Sequence, residues 1–315
     1  MGTAENPRAT GRRRFLIDLA ALGGAAALGG CVRRGTGGGS AKPALDRLGV
    51  QLYTVMDQMR QDFEGTVEKV AAIGYRNVEF AGYFDRTPEQ VRALLDRLHL
   101  AAPSSHIGMD QLRSNLEAQI HLAQVVGHRY ITAPSLGRME VPTTADAWKR
   151  VAEEFNRIGT TLKERGLGLA FHSHSGEFVD VGGGRKGMDV FVAETDPSLV
   201  TFEIDLLWAE VAGEDPVAWI ERYPGRFRMW HVKDMRELKA AQAQQAAAFR
   251  GAPSQRAGQI APVGSGEIDF GRIFAHWQRS GLEYYFVEHD AAQQWPGGSL
   301  ASIEASYRYL HQLLA

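Results

Sequence analysis

Carboxylates and imidazoles recur at equivalent places along this chain. Glu79 closes one short apolar run and His106 another. Four further runs end in His172-Ser173-His174-Ser175-Gly176-Glu177-Phe178, Glu203-Ile204-Asp205, Trp230-His231-Val232-Lys233-Asp234 and Val287-Glu288-His289-Asp290. If the runs are parallel strands, their ends converge, and such groups repel or desolvate one another unless a cation joins them. A mixed oxygen and nitrogen set suits manganese, magnesium, cobalt, iron or zinc and excludes a soft thiolate site. Taken singly, each residue fits an ordinary loop position; the recurrence at successive ends carries the argument. Glu203 and Asp205 alternate along one run and so point to one side, although Glu203 also fits a buried structural carboxylate. His172 and His174 also fit a supporting role, as hydrogen-bond partners of the ligands.

The elements that would hold these residues alternate throughout. Strands are expected over 48–53, 77–80, 101–107, 130–133, 167–172, 200–206, 227–232 and 284–288, with amphipathic segments between them. Helices are expected over 63–73, 112–126, 145–165, 188–194, 216–222, 270–280 and 300–313. Another starts at Thr87-Pro88-Glu89-Gln90, where Thr87 is the cap, Pro88 takes the first turn and Gln90 completes a capping box. Eight strand–helix units within 45–315 fit the ~250 residues of a closed parallel (β/α)8 barrel, whose ligands bind at the C-terminal ends of the strands. A doubly wound open sheet is the competing fold, but no glycine-rich dinucleotide fingerprint follows the first strand. Residues 235–266 interrupt the rhythm with an Ala/Gln-rich helical stretch at 240–249 and a Gly/Pro/Ser loop. On a barrel this insertion lies over the mouth, as a lid that orders on ligand binding or as a solvated excursion.

Several blocks together resemble one branch of the xylose isomerase-like barrels, the sugar phosphate isomerase/epimerase family. They are His172 to Phe178, with Ser173 where that branch usually has Asn; Phe202-Glu203-Ile204-Asp205-Leu206; His231-Val232-Lys233-Asp234-Met235; and Val263-Gly264-Ser265-Gly266-Glu267-Ile268-Asp269-Phe270. The likeness covers roughly 48–313. It implies a single TIM-barrel domain holding one divalent metal ion, manganese foremost, with Asp205, His231 and Glu288 as ligands. The fifth strand supplies a fourth, Glu177 by preference and His172 as the alternative. It also implies a sugar or keto-sugar substrate, a proton removed beside its carbonyl and an enediolate stabilised by the metal. Isomerisation, epimerisation and elimination by a lyase or dehydratase all start there. Glu177, Glu288, His172 and His174 are the candidate bases, Lys233 is expected to bind an oxyanion or hydroxyl, and Glu79, His106 and Trp208 are assigned to substrate binding.

Two rival functions follow from the same resemblance. One is a non-catalytic, sugar-binding surface lipoprotein. The other is a metal-dependent phosphodiesterase like the related abasic-site endonucleases, which a net charge of -2 over 315 residues disfavours, since it leaves no basic footprint for nucleic acid.

The first forty residues read as an address. Arg12-Arg13-Arg14-Phe15-Leu16 opens an Ala/Gly/Leu-rich run resembling a twin-arginine signal, with Gly11 where Ser or Thr is usual. Leu28-Gly29-Gly30-Cys31 resembles a lipobox, and Cys31 is the sole cysteine, so no internal disulfide can form. The expectation is a signal over 1–30, a lipid on Cys31 that holds an exported, periplasmic protein to the membrane, and a Gly/Ser-rich tether over 31–44.

Overall fold

The computed structural model describes residues 42–250 and 258–315; the expected signal, Cys31 and nearly all of the tether lie outside them. Among the described residues there are ten strands: β1 (Leu48–Gln51), β2 (Asn77–Phe80), β3 (Ala101–His106), β4 (Tyr130–Ala133), β5 (Gly168–His172), β6 (Val200–Asp205), β7 (Met229–Val232), β8 (Asp234–Arg236), β9 (Gln259–Ala261) and β10 (Tyr284–Val287). Eight of them close a wholly parallel barrel in chain order, with β10 joining β7 to β1. This is a TIM barrel with helices between the strands; the open-sheet alternative is excluded by the β10–β1 ladder.

The alternation of side chains explains why polar residues end up stacked inside. On β6, Val200, Phe202 and Ile204 face the helices, and Phe202 packs edge-on against Phe191. Thr201, Glu203 and Asp205 take the other side. At the base of the barrel, Tyr130, Ala170, Met229 and Phe286 form a small apolar plug. Gly49 is required there, because a Cβ would stand 2.5 Å from the Phe286 ring. Above the plug, Ser104 and Thr132 share a hydrogen bond of 2.8 Å. The charged groups lie higher still.

Helix signals read from the sequence hold locally. The box before Pro88–Leu98 forms as expected, with Gln90 N–H donating to Thr87 Oγ1 at 3.3 Å and Thr87 N–H to Gln90 Oε1 at 2.9 Å. The single helix expected over 270–280 is instead two, Phe270–Phe274 and Trp277–Ser280. With the break at Ala275 and His276, Phe274 packs on Trp230 while Ser280 Oγ accepts from Trp230 Nε1 at 2.9 Å.

The described residues of the insertion are tied to the barrel at several points. β8 and β9 form an antiparallel ribbon around the helix Leu238–Ala248. Asp234, fully buried, accepts four backbone N–H bonds at 2.8–3.1 Å, from Met235, Gly264, Gly266 and Ile268. This is what the glycines of Val263-Gly264-Ser265-Gly266 are for: a Cβ on Gly266 would meet Asp234 Oδ1 at 2.2 Å. At its far side, Gln242 Nε2 donates to the Glu210 carbonyl at 2.9 Å and Ser175 Oγ to Gln245 Oε1 at 3.1 Å.

Away from the mouth, His128 is buried between β3 and β4. Its Nδ1 lies 2.6 Å from the Ala102 carbonyl and its Nε2 2.7 Å from the Tyr83 hydroxyl. Burial pushes its pKa down to about 4. The unfolded chain therefore binds a proton that the folded one refuses between pH 6.5 and about 4. Stability from this group is complete above pH 6.5 and is lost as pH falls towards 4, by about 3 kcal/mol in total. Denaturant unfolding across that range should show a shallower pH slope in His128→Gln than in the native protein.

Candidate metal centre at the barrel mouth

The strand ends gather one continuous polar cluster. Its hub is His231 on β7, which is fully buried. His231 Nε2 lies 2.8 Å from Glu79 Oε2 and 3.1 Å from Glu203 Oε2, and its Nδ1 lies 2.7 Å from Glu288 Oε2. Ladder register explains the meeting, since Asp205 stands opposite His231 and His172 opposite Glu203. His106 Nε2 approaches Glu203 at 3.0 Å and Glu79 at 3.2 Å. Lys233, 1% exposed, reaches back to Glu288 at 2.6 Å, Asp205 at 3.1 Å and Asp290 at 3.1 Å.

Such burial is tolerable only because opposite charges interleave. Burial alone would lower the His231 pKa, but Glu203 and Glu288 outweigh it and hold the imidazole well above its ordinary range. Burial likewise opposes the Lys233 charge, and Asp205, Glu288 and Asp290 overcome it. Burial raises the Asp205 carboxyl to about 6 despite Lys233 and His231. His174 goes the other way, pushed down to about 3 by burial and then by Lys233, so its imidazole is neutral at ordinary pH.

Two sets of four donors lie within 4.8 Å of one another: His172, Asp205, His231 and Glu288; and His106, His172, Glu203 and His231. In the first set all four residues are buried and each comes from a different barrel strand or its end. Asp205 Oδ2 makes no well-aligned hydrogen bond and faces the Lys233 ammonium at 3.1 Å and His172 Nε2 at 3.8 Å. Two imidazoles and two carboxylates, all buried, fit a borderline divalent ion with bonds of about 2.0–2.2 Å. On β5 the residue that stands within reach of the other donors is His172. The Glu177 carboxylate turns back to accept the His174 backbone N–H at 2.7 Å and belongs to neither set, whereas His172 belongs to both. Glu177, the residue preferred from the resemblance, here closes its own turn through the His174 N–H and stands apart from the other three donors.

The other expected residues separate by depth. His106 and Trp208 line the mouth, a cavity of about 340 Å³ that they share with Tyr53, His172, His174 and Lys233. Glu79 does not line it. Fully buried, it accepts from Gln51 Nε2 at 2.8 Å and lies 2.8 Å from His231 Nε2. Sequence reading passed over Gln51 and Tyr53, because the end of β1 carries no acid or imidazole. Tyr53 is 46% exposed, and an exposed aromatic just past a barrel strand was the available signal.

The comparisons agree with this architecture. An inosose dehydratase of Lacticaseibacillus casei is 23% identical over 256 residues, spanning 74% of this chain and 85% of its own length. The crystal structure of a sugar phosphate isomerase/epimerase from Parabacteroides distasonis superposes with a TM-score of 0.70 at 26% identity, covering 87% of this chain and 95% of that one. A structure of the IOLI protein with a binding zinc atom shares the fold at a TM-score of 0.66 and 11% identity, over 85% of this chain and 98% of its own. Residues 67–309 match the family described as xylose isomerase-like TIM barrel, and the chain belongs to that family.

Proposed function

We propose that this protein is a divalent-metal-dependent enzyme that removes a proton beside the carbonyl of a sugar or cyclic keto-polyol, leading to isomerisation, epimerisation or loss of water. The carrying observation is the set His172, Asp205, His231 and Glu288, buried beneath a mouth lined by Lys233 and His174. The dehydratase and isomerase/epimerase names of its relatives support this substrate class. A divalent ion held by those four residues, manganese foremost with magnesium, cobalt, iron and zinc as alternatives, would polarise the carbonyl oxygen. The chain's own groups do the rest. Lys233 carries a fixed positive charge to the floor of the mouth and can donate to a substrate oxygen. His174 is a neutral imidazole beside it and can accept the carbon-bound proton, as can the Glu288 carboxylate. Trp208, whose ring lies 5.7 Å from Lys233 Nζ, supplies a flat wall for a sugar ring.

NMR of the metal-loaded mature protein with keto-sugars and inosose in D2O tests the reading. Deuterium should enter at the carbon beside the carbonyl, and only with metal present. Stoichiometric metal without exchange on any of these ketones overturns it.

We further propose that the chain is exported and anchored by lipid on Cys31, with residues 1–30 removed. The supporting features are the twin-arginine run and the Leu28-Gly29-Gly30-Cys31 box. Mass spectrometry of membrane fractions should find a lipidated Cys31 at the mature N-terminus; an intact N-terminus in a soluble fraction overturns this.

A further inference from the structure

Beside the mouth lies a second, larger cavity of about 790 Å³, roofed by the insertion helix Leu238–Ala248 and walled by the loop after β10. Trp208 lines both cavities. Along the loop after β10, Glu288 and Asp290 line the mouth while His289 and Ala291 line the larger cavity. The mouth alone is at the small end of the ~300–1,000 Å³ that ligand pockets occupy, and the two together exceed what one sugar ring needs.

The lining defines the chemistry of an occupant. Trp208 and Trp295 offer half-buried ring faces, and Gln244, Gln245 and Gln294 offer side-chain amides. Among the described lining residues there is no carboxylate and no lysine. The sole arginine, Arg236, is already engaged: its guanidinium lies 5.5 Å over the Trp295 ring and its Nε donates to the Ser265 carbonyl at 3.0 Å. A phosphate or carboxylate ligand would find little free charge there. Indole faces with neutral amides instead suit a ligand that is apolar on its C–H faces and rich in hydroxyls at its rim.

We infer that this cavity is a second sugar-binding subsite, and that the protein's substrate is a glycoside whose reacting ring sits at the mouth while a linked second ring lies between Trp208 and Trp295. The inference rests on the sugar-directed reading above and adds the size of the substrate. It also assigns the insertion a role, since its helix supplies the amides and its ribbon positions Arg236 against Trp295.

NMR titration of the metal-loaded mature protein with glucose, cellobiose and maltose is the test. At least one disaccharide should bind about tenfold or more tighter than glucose, the scale of one well-placed aromatic contact. Trp295→Ala should remove that advantage and leave glucose affinity unchanged. Gln244→Leu, which keeps the aromatic wall, should reduce it by a smaller factor. Equal affinities for all three sugars, a disaccharide advantage that survives both variants, or glucose binding lost together with the advantage would each overturn the subsite. The deuterium exchange described above is scored separately on single-ring ketones. Exchange without a disaccharide advantage sinks the subsite and spares the reaction; the advantage without exchange does the reverse.

Discussion

Asp205→Ala and His231→Ala are each expected to strip the bound divalent ion and to lower turnover by about a thousandfold or more, the equivalent of the several kcal/mol that a metal contributes to a developing negative charge. The two should differ in stability. Asp205→Ala gives up the cap on the Trp208 N–H at 2.9 Å, about 1 kcal/mol, and one of three acids on Lys233, whose charge Glu288 and Asp290 still balance. His231 is contacted by Glu79, Glu203 and Glu288, and without it only His106 and Lys233 are left to balance these three buried carboxylates. His231→Ala should therefore melt distinctly lower than Asp205→Ala in the absence of metal, although both fold, because the apolar plug and the outer helical layer lie below the cluster. Elemental analysis beside circular dichroism checks both parts. His172→Ala should behave like Asp205→Ala, while Glu177→Ala keeps its metal. The opposite result for that last pair would restore the loop carboxylate as the fourth ligand.

That pair also marks where sequence reading stops. Strand positions were legible because parallel barrel strands, covered on both faces, are short apolar runs with loop signals at each end. Hence 77–80 and 130–133 coincide with β2 and β4, and the capping box before Pro88 is local chemistry that forms regardless of the rest. The polar cluster was legible as a set because every member sits at a strand end. Depth along the barrel axis was not. Glu79 and His106 end neighbouring strands, yet the first is sealed under His231 and the second lines the mouth. Depth follows from register between strands, including the shift between β2 and β3, and no single run of sequence contains it. The ribbon β8–β9 was hidden for a related reason. Each strand is three residues long, and they pair across an intervening helix around an acid, Asp234, that looked like a site residue and serves as an anchor.

Lys233→Met should separate two roles that a buried ammonium can play here. Lys233 Nζ lies 2.6 Å from Glu288 Oε2 and 3.1 Å from Asp205 Oδ2, and both residues belong to the candidate ligand set. The ammonium and a divalent ion thus draw on the same acids. In the metal-free protein, replacing Lys233 with an apolar side chain of similar length leaves Asp205, Glu288 and Asp290 without their shared cation. Breaking a buried pair in this way costs about 3–5 kcal/mol, so melting should fall by roughly 10 °C for a domain of this size. Adding a divalent ion should recover most of that loss, since the ion neutralises the same carboxylates, and its affinity should be unchanged or tighter because a competing positive charge has gone. Turnover should nevertheless stay low, as the donor to the substrate oxygen is missing. Calorimetric metal titration, thermal melting with and without metal, and single-turnover rates on one preparation give all three readings. Weaker metal binding in Lys233→Met would show that Lys233 orders the ligands instead of competing with the ion, and full turnover would remove it from substrate binding.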